Sequence, residues 1–409
     1  MKRTPELIAP AGNLEKMRTA FAFGADAVYL GIPDFSLRVR VNDFTEAKIK
    51  EAVAMARKLK KKVYVTINIF AHNRHLEKLP RYLKNLQALK VDGLIISDPG
   101  ILALIKKSWP EAIIHLSTQA NCTNWRAAEF WQKQGIKRII LGREVTLPEI
   151  KEIHEKCPKL ELEYFVHGAM CLAYSGRCFL SKQFTGRSGN LGDCAQSCRW
   201  QYFLREGKET DRELEIVAEK HGTYLLNSKD LCLIKYLDKL AAAGVTACKI
   251  EGRAKSVYYQ AVVVNAYRQA LNQLSINNFQ FSIIDKLYKE LNTRLVHRGY
   301  STGFLLGDKG KQNIAASHEK SDWEFCGQAR KALRGRGVLV RVHNTLKIGD
   351  ELEIVRPYLP VLKIKLAKMS AVITKKAITE AHGGDKIPEV IIETRETVPV
   401  WSVLRRKIK

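Results

Sequence analysis

WQKQGIKRIILGRE, residues 131–144, ends a helical stretch on Gly135, turns, and runs at once into a short apolar strand. The same phrase recurs as AFAFGADAVYLG (20–31), LKVDGLIISD (89–98) and LAAAGVTACKIEGR (240–253). Gly24, Gly135 and Gly244 fall where a helix hands over to a left-handed residue, a conformation glycine adopts without a Cβ clash. The strands that follow are apolar with little alternation, as a parallel sheet covered by helices requires. LIAP (7–10), KVYVTINIF (62–70), AIIHLS (112–117) and ELEYFVHG (161–168) bring the candidate strands to eight. Amphipathic stretches such as Thr45–Leu59 and Asn124–Gln134 separate them. Eight strand–helix units before residue 275 predict an α/β fold, a TIM-type (β/α) barrel, over a doubly wound open sheet. No G-x-G-x-x-G follows the first strand, which counts against a dinucleotide-binding domain.

In a barrel of this kind the C-terminal ends of the strands carry the active site. Here those ends read Asn68, Asp98, Gln119, Asn121, Arg143, Glu144, His167, Lys249, Glu251 and Arg253, with Arg38 and Arg40 just past the second strand. Each alone can be structural; a solitary His167 is an ordinary buried hydrogen-bonder. Together they predict a polar pocket at one rim.

Directly after the seventh strand comes HGAMCLAYSGRCFLSKQFTGRSGNLGDCAQSCRW (167–200), which holds Cys171, Cys178, Cys194 and Cys198. The spacing is C-x6-C-x15-C-x3-C. Zinc knuckles pair their cysteines more closely, whereas the wider ligand separation on a loop suits an iron–sulfur cluster. Zinc, or four merely reduced thiols, are the alternatives. Because the loop leaves from His167, its thiols are expected at the same rim.

Nine cysteines in 409 residues are too few for a disulfide scaffold. The opening MKRTPELIAPAGNLEK has no signal-like apolar core, and no run approaches the roughly 20 apolar residues of a membrane span. A reduced, cytoplasmic protein away from membranes is the expectation. The formal charge of +26 is spread along the chain and points to a polyanion, with nucleic acid the favoured partner over mere solubility.

After residue 275 the pattern changes. Residues 276–322 read as a helical connector between the barrel (1–275, with the cysteine loop at 168–200) and a small antiparallel β-barrel or sandwich at 323–409. Its strands are GVLVRVHN, KIGDELEIVRP, VLKIKLAKM, PEVIIETRE and VPVWSVLRRK, with turns at Gly349-Asp350 and Gly383-Gly384. Residues 320–409 carry 19 Lys/Arg against 10 Asp/Glu. Lys363, Lys365, Lys368, Lys375 and Lys376 are candidate phosphate contacts, or simply the charged edge of a sheet. Residues 206–220 read as an exposed polar excursion.

ELEYFVHGAMCLAYSGRCFLS (161–181) resembles the signature of the collagenase-like peptidases, peptidase family U32. The match runs through Glu163, Phe165, Gly168, Ala169, Met170, Cys171, Gly176, Cys178 and Ser181. Residues 6–31, GDCAQSCRWQY, GTYLLNSKDLC, VTACKIEGRAKSVYY, HRGYSTGF and VHNTLKIGDELEIVRP resemble the same family, so the likeness spans nearly the whole chain. Within it the chain is most similar to members that hydroxylate the wobble uridine of tRNA. The resemblance implies a barrel followed by a small β-domain, an iron–sulfur cluster of the 4Fe-4S kind, and prephenate as co-substrate. Its ligands would be Cys171, Cys178 and Cys194, with Cys198 as the fourth and Cys232 as the alternative.

On that reading the anticodon loop offers an unstacked base. A dicarboxylate donor needs bidentate cations, for which Arg38, Arg40, Arg143 and Arg253 are candidates, with Gln119 beside them. Glu144, Glu251 and His167 are candidates for proton transfer. A partner protein is a further expectation, since some relatives work in pairs. A peptidase is the rival enzyme class, and a non-catalytic RNA-binding or assembly factor the rival outside it. No H-E-x-x-H and no G-x-S-x-G is present to support proteolysis.

Overall fold

The computed structural model describes all residues except 1–3, 38–41, 203, 206–212, 215–225, 276–279, 309, 334–336, 387 and 409. Seven strands come first: β1 (Glu6–Pro10), β2 (Ala27–Gly31), β3 (Lys62–Ile67), β4 (Gly93–Ile96), β5 (Ile114–Leu116), β6 (Arg138–Ile140) and β7 (Glu161–Gly168). Between them run α1 (Leu14–Ala22), α2 (Glu46–Lys58), α3 (Asn73–Leu89), α4 (Pro99–Ser108), α5 (Trp125–Lys133) and α6 (Leu147–Lys156). An excursion then carries α7 (Leu180–Thr185), the short pair β8 (Leu204–Arg205) and β9 (Glu213–Leu214), and β10 (Asp230–Cys232). After α8 (Leu237–Ala242) the last barrel strand, β11 (Val245–Ile250), pairs in parallel with both β1 and β7 and closes the ring. The eight strands expected from the sequence are the eight of the barrel.

Local chemistry sets the ends of these elements. Asn13, Asp98, Asn124 and Ser256 cap α1, α4, α5 and α9 (Val257–Leu274) by accepting from backbone N–H groups of the first turn. Gly24, Gly135 and Gly244 have φ of +101°, +80° and +95°, as the helix-to-strand turns demand.

The barrel interior is not uniformly apolar. Arg138 on β6 bonds Glu6 and Glu161, each at 2.7 Å, and reaches Glu163 at 3.4 Å, while Lys249 on β11 meets the other oxygen of Glu163 at 2.6 Å. Glu163 is fully buried. Charges so deep persist only when paired, and here each has a partner.

Near its end β7 carries an irregularity. Phe165 lies opposite Lys249, but His167 lies opposite Ile250, so two residues of β7 span one of β11. Such a bulge re-aims the side chains beyond it. Past the bulge, Gly168 and His167 pair antiparallel with Leu231 and Cys232 of β10.

Among its described residues, the stretch read as a helical connector holds one helix, α10 (Phe281–Arg294). From Leu295 the chain is non-helical and returns to the barrel, where β12 (Tyr300–Ser301) pairs with β10. The second domain follows as β13 (Trp323–Leu333), β14 (Gly337–Val342), β15 (Thr345–Lys347), β16 (Glu351–Val355), β17 (Leu362–Lys365), β18 (Met369–Ala371), β19 (Glu380–His382), β20 (Glu389–Ile392) and β21 (Val403–Lys407). Seven of these form one curled antiparallel sheet in the order β17-β16-β21-β13-β14-β20-β18. Its longest strand, β13, was not among the strands expected, because WEFCGQARKAL mixes the residue types of helix and strand. The sheet docks on the barrel through Val355 and Val403 and through Gln328 to Thr19 (2.9 Å), and on α10 through Arg405 to Glu290 (2.5 Å), Arg405 being held within the sheet by Glu353 (2.7 Å). Among the described residues, no helix is long and apolar enough to cross a membrane.

Candidate active site at the barrel mouth

A cavity of about 380 Å³ opens at the C-terminal ends of the barrel strands. Its walls are Tyr29, Thr66, Asn68, Ser117, Gln119, Arg143, Phe165, Lys249, Glu251 and Arg253 from the strand ends, and residues of the cysteine loop from above. Cys171, Cys178, Cys194 and Cys198 all line it. The volume is that of a small-ligand site.

The cysteine loop is tied to the rim at many points. Ser175 adopts a left-handed φ of +47° and donates its N–H to Glu144 Oε1 at 2.7 Å, while its hydroxyl meets Asn121 Oδ1 at 2.6 Å. Arg177 donates to the Gln119 carbonyl at 3.0 Å, and Arg298, held by Asp230 at 2.6 Å, donates to the Met170 carbonyl at 3.2 Å. Ser181 accepts from Ala195 N–H at 2.8 Å, joining the two cysteine pairs.

Two sulfurs receive backbone donors from two residues on: Leu180 N–H to Cys178 at 3.4 Å and Gln196 N–H to Cys194 at 3.3 Å. Hydrogen bonds to sulfur are among the contacts that tune an iron–sulfur cluster. Burial pushes the Cys198 thiol up, and the neighbouring Cys171 and Cys194 push it the same way. All four cysteines line the cavity, although among the described residues no three His, Cys, Asp or Glu side chains are grouped closely enough to hold a metal ion. The candidate donors are four cysteine sulfurs borne on one loop, a donor type that suits an iron–sulfur cluster or a structural zinc.

Of the expected carboxylate-binding cations, Arg143 and Arg253 line the cavity. Arg143 lies 4.0 Å over the Phe165 ring, and Arg253 is anchored by Thr66 (3.4 Å) and the Leu37 carbonyl. Arg38 and Arg40 lie outside the described residues. Gln119 lines the cavity with its Oε1 accepting from Ser117 (2.6 Å) and Asn68 (3.1 Å). Glu251 lines the wall; Glu144 also does, but one of its oxygens fastens the loop. Asp98 turns away to cap α4.

His167 is displaced from the role expected of it. It is buried behind β7, with rings of Tyr259, Tyr267 and Tyr300 at 5.9, 5.4 and 5.3 Å, and does not line the cavity. Desolvation pushes it down to about 3, so it is neutral at ordinary pH. The cause is the bulge at Val166, which turns His167 outward where strict alternation from Phe165 would have turned it in. Cys232 shares that cage, its thiol pushed up to about 11 by burial, and is likewise absent from the cavity wall.

Lys249 gains weight from the geometry. It is 3% exposed, sits 4.2 Å over the Tyr29 ring, and is lowered by desolvation against the opposing pull of Glu163. A lysine inside the apolar strand VTACKI and a glutamate inside ELEYFV were the readable signal of a buried pair. Arg199, half-buried near Arg298, also lines the wall and carried no such signal.

A family model described as peptidase family U32 matches residues 12–315. A protein named tRNA hydroxylation protein P from Escherichia coli (strain K12) is 39% identical, covering 86% of each chain. The 23S rRNA 5-hydroxycytidine C2501 synthase of the same organism is 35% identical over 75% of this chain and 46% of its own. A protein named Collagenase from Porphyromonas gingivalis (strain ATCC BAA-308 / W83) is 30% identical over 86% of each.

Proposed function

The chain belongs to peptidase family U32, and from that membership we propose that it is an RNA-modifying enzyme that places a hydroxyl on C5 of the wobble uridine of tRNA. The observation that carries the reading is the convergence of four thiols and four cations, Arg143, Arg199, Lys249 and Arg253, on one cavity at the barrel mouth. Relatives named for hydroxylation of tRNA and of rRNA cytidine support it from the side of substrate.

In this reading Cys171, Cys178, Cys194 and Cys198 hold an iron–sulfur cluster, which when bound supplies the electron-transfer chemistry that side chains lack. Cys198 is favoured over Cys232 as the fourth ligand because it shares the wall with the other three. Arg253 and Arg143 hold the carboxylates of a small donor, prephenate by resemblance, with Lys249 behind them. Tyr29 and Phe165 flank the reacting groups and exclude water. Hydroxylation at C5 is a two-electron oxidation: the donor would deliver the hydroxyl together with its oxidising equivalent, the C5–H bond would be exchanged for C5–O, and the one proton released would go to Glu251, the wall carboxylate assigned to take it.

The rival peptidase reading finds less support. Cysteine proteolysis needs a thiol beside an imidazole, and the described lining of the cavity contains no histidine. The test is nucleoside analysis of tRNA from cells lacking this chain, complemented with wild type or Cys171→Ala. Wild type is expected to restore 5-hydroxyuridine and the variant to fail; unchanged 5-hydroxyuridine in the deletion would sink the proposal.

A further inference from the structure

Exposed aromatic rings crowd the cysteine loop. Tyr174, Phe179, Phe184 and Trp200 are 56%, 73%, 52% and 43% exposed, four large rings within one short segment. Leaving that much ring surface in water is unfavourable, and contiguous patches of it mark interaction sites. The rings belong to the lip of the cavity: Tyr174 stands between the lining residues Ala173 and Ser175, and Phe179 follows Cys178. Phe184 lies 6.2 Å from the Trp200 ring and 6.0 Å from Tyr202, tilted by 34° and 38°, so the rings fan out and do not stack closed on one another.

Charge selects the occupant. Between residues 168 and 202 the loop carries Arg177, Lys182, Arg187 and Arg199 against Asp193 alone, and Asp193 is paired with Arg187 at 3.1 Å. With a single carboxylate, itself paired, the loop presents net positive charge, which favours a polyanion. Flat rings interspersed with cations, around a cavity of base-sized volume, match unpaired nucleotides, whose bases stack on aromatic faces while cations track the phosphates.

We propose that this face is a stacking platform for the nucleotides flanking the target base, with Phe179 and Tyr174 at the cavity lip and Phe184 and Trp200 farther out. It rests on the RNA-hydroxylation reading and adds how the loop is gripped while one base enters the cavity.

The test is binding of a labelled anticodon stem-loop, and of a fully paired RNA hairpin of equal length, to the full-length protein at fixed salt. Phe179→Ala and Tyr174→Ala should each weaken stem-loop binding roughly tenfold and leave binding of the paired RNA unchanged, since only unpaired bases offer free faces. Phe179→Trp should restore binding, which a merely structural role would not predict. Thiol titration and circular dichroism check that the loop is intact in each variant. If wild type binds the stem-loop and the alanine variants bind it equally well, the platform is wrong and the rings are a protein contact. If wild type itself binds neither RNA, the RNA reading falls and takes the platform with it.

Discussion

The Cys232 thiol lies 3.8 Å from the Tyr267 hydroxyl, in a closed cage on the side of β7 away from the cavity. That hydroxyl also donates to the Val166 carbonyl at 2.7 Å and accepts from Leu233 N–H at 3.2 Å. A ligand role for Cys232 would require breaking this packing. Cys198→Ala should therefore strip iron from anaerobically purified protein, whereas Cys232→Ala should keep iron and lose about 1–2 kcal/mol of stability. Iron and sulfide assays beside urea melts decide it, and iron loss in Cys232→Ala alone would reverse the assignment.

The Lys249–Glu163 pair separates structure from function. Lys249→Met leaves a buried carboxylate with Arg138 as its remaining cation, and should cost about 3–5 kcal/mol. Adding Glu163→Gln removes the orphan charge and should recover most of that loss. If Lys249 serves the donor, the double variant should fold, hold iron, and still need at least tenfold more donor for half-maximal rate. Wild-type donor dependence in the double variant would make Lys249 purely structural.

His167 gives a pH signature. Its folded value is about 3, against about 6.5 for a free imidazole, so the unfolded chain binds the extra proton first. Stability contributed by neutral His167 is complete above about 6.5 and drains as pH falls towards 3, by roughly 1.4 kcal/mol per pH unit. The melting temperature of wild type relative to His167→Gln should be highest above pH 6.5 and decline steadily as pH falls towards 4. Parallel curves would show that His167 titrates normally.

Gly168 is the hinge from which the cysteine loop leaves the barrel. Its φ is +111°, and a Cβ there would sit 2.5 Å from the Glu251 carbonyl oxygen. Gly168→Ala should cost about 1–3 kcal/mol and shift the loop relative to Glu251, lowering iron content as well as stability. Full iron loading with unchanged melting would contradict the close approach.

The barrel was legible because its signal is repetitive: the same helix–glycine–strand phrase returns until eight strands are counted. The position of the cysteine loop was legible because it leaves directly from the end of β7, which places its four cysteines at the rim. What escaped were features fixed by register. One extra residue in β7 moved His167 from rim to cage, and a single sequence carries no mark of a bulge. β13 escaped because its alternation is broken at Gly327 and Lys331, where its own ladders shift register. Asp98 looks like a rim carboxylate in sequence yet caps α4, while Glu144 lines the cavity with one of its oxygens committed to the Ser175 N–H.

Gly168 and Leu231 face each other across the β7–β10 ladder, so the excursion that begins after one ends beside the other. The reactive rim is therefore hung from the barrel like a purse on its drawstring. Lengthening or trimming such a segment costs the barrel only a slowly growing closure term. A scaffold built this way can be given a different rim, and with it a different substrate, without disturbing the sheet that carries it.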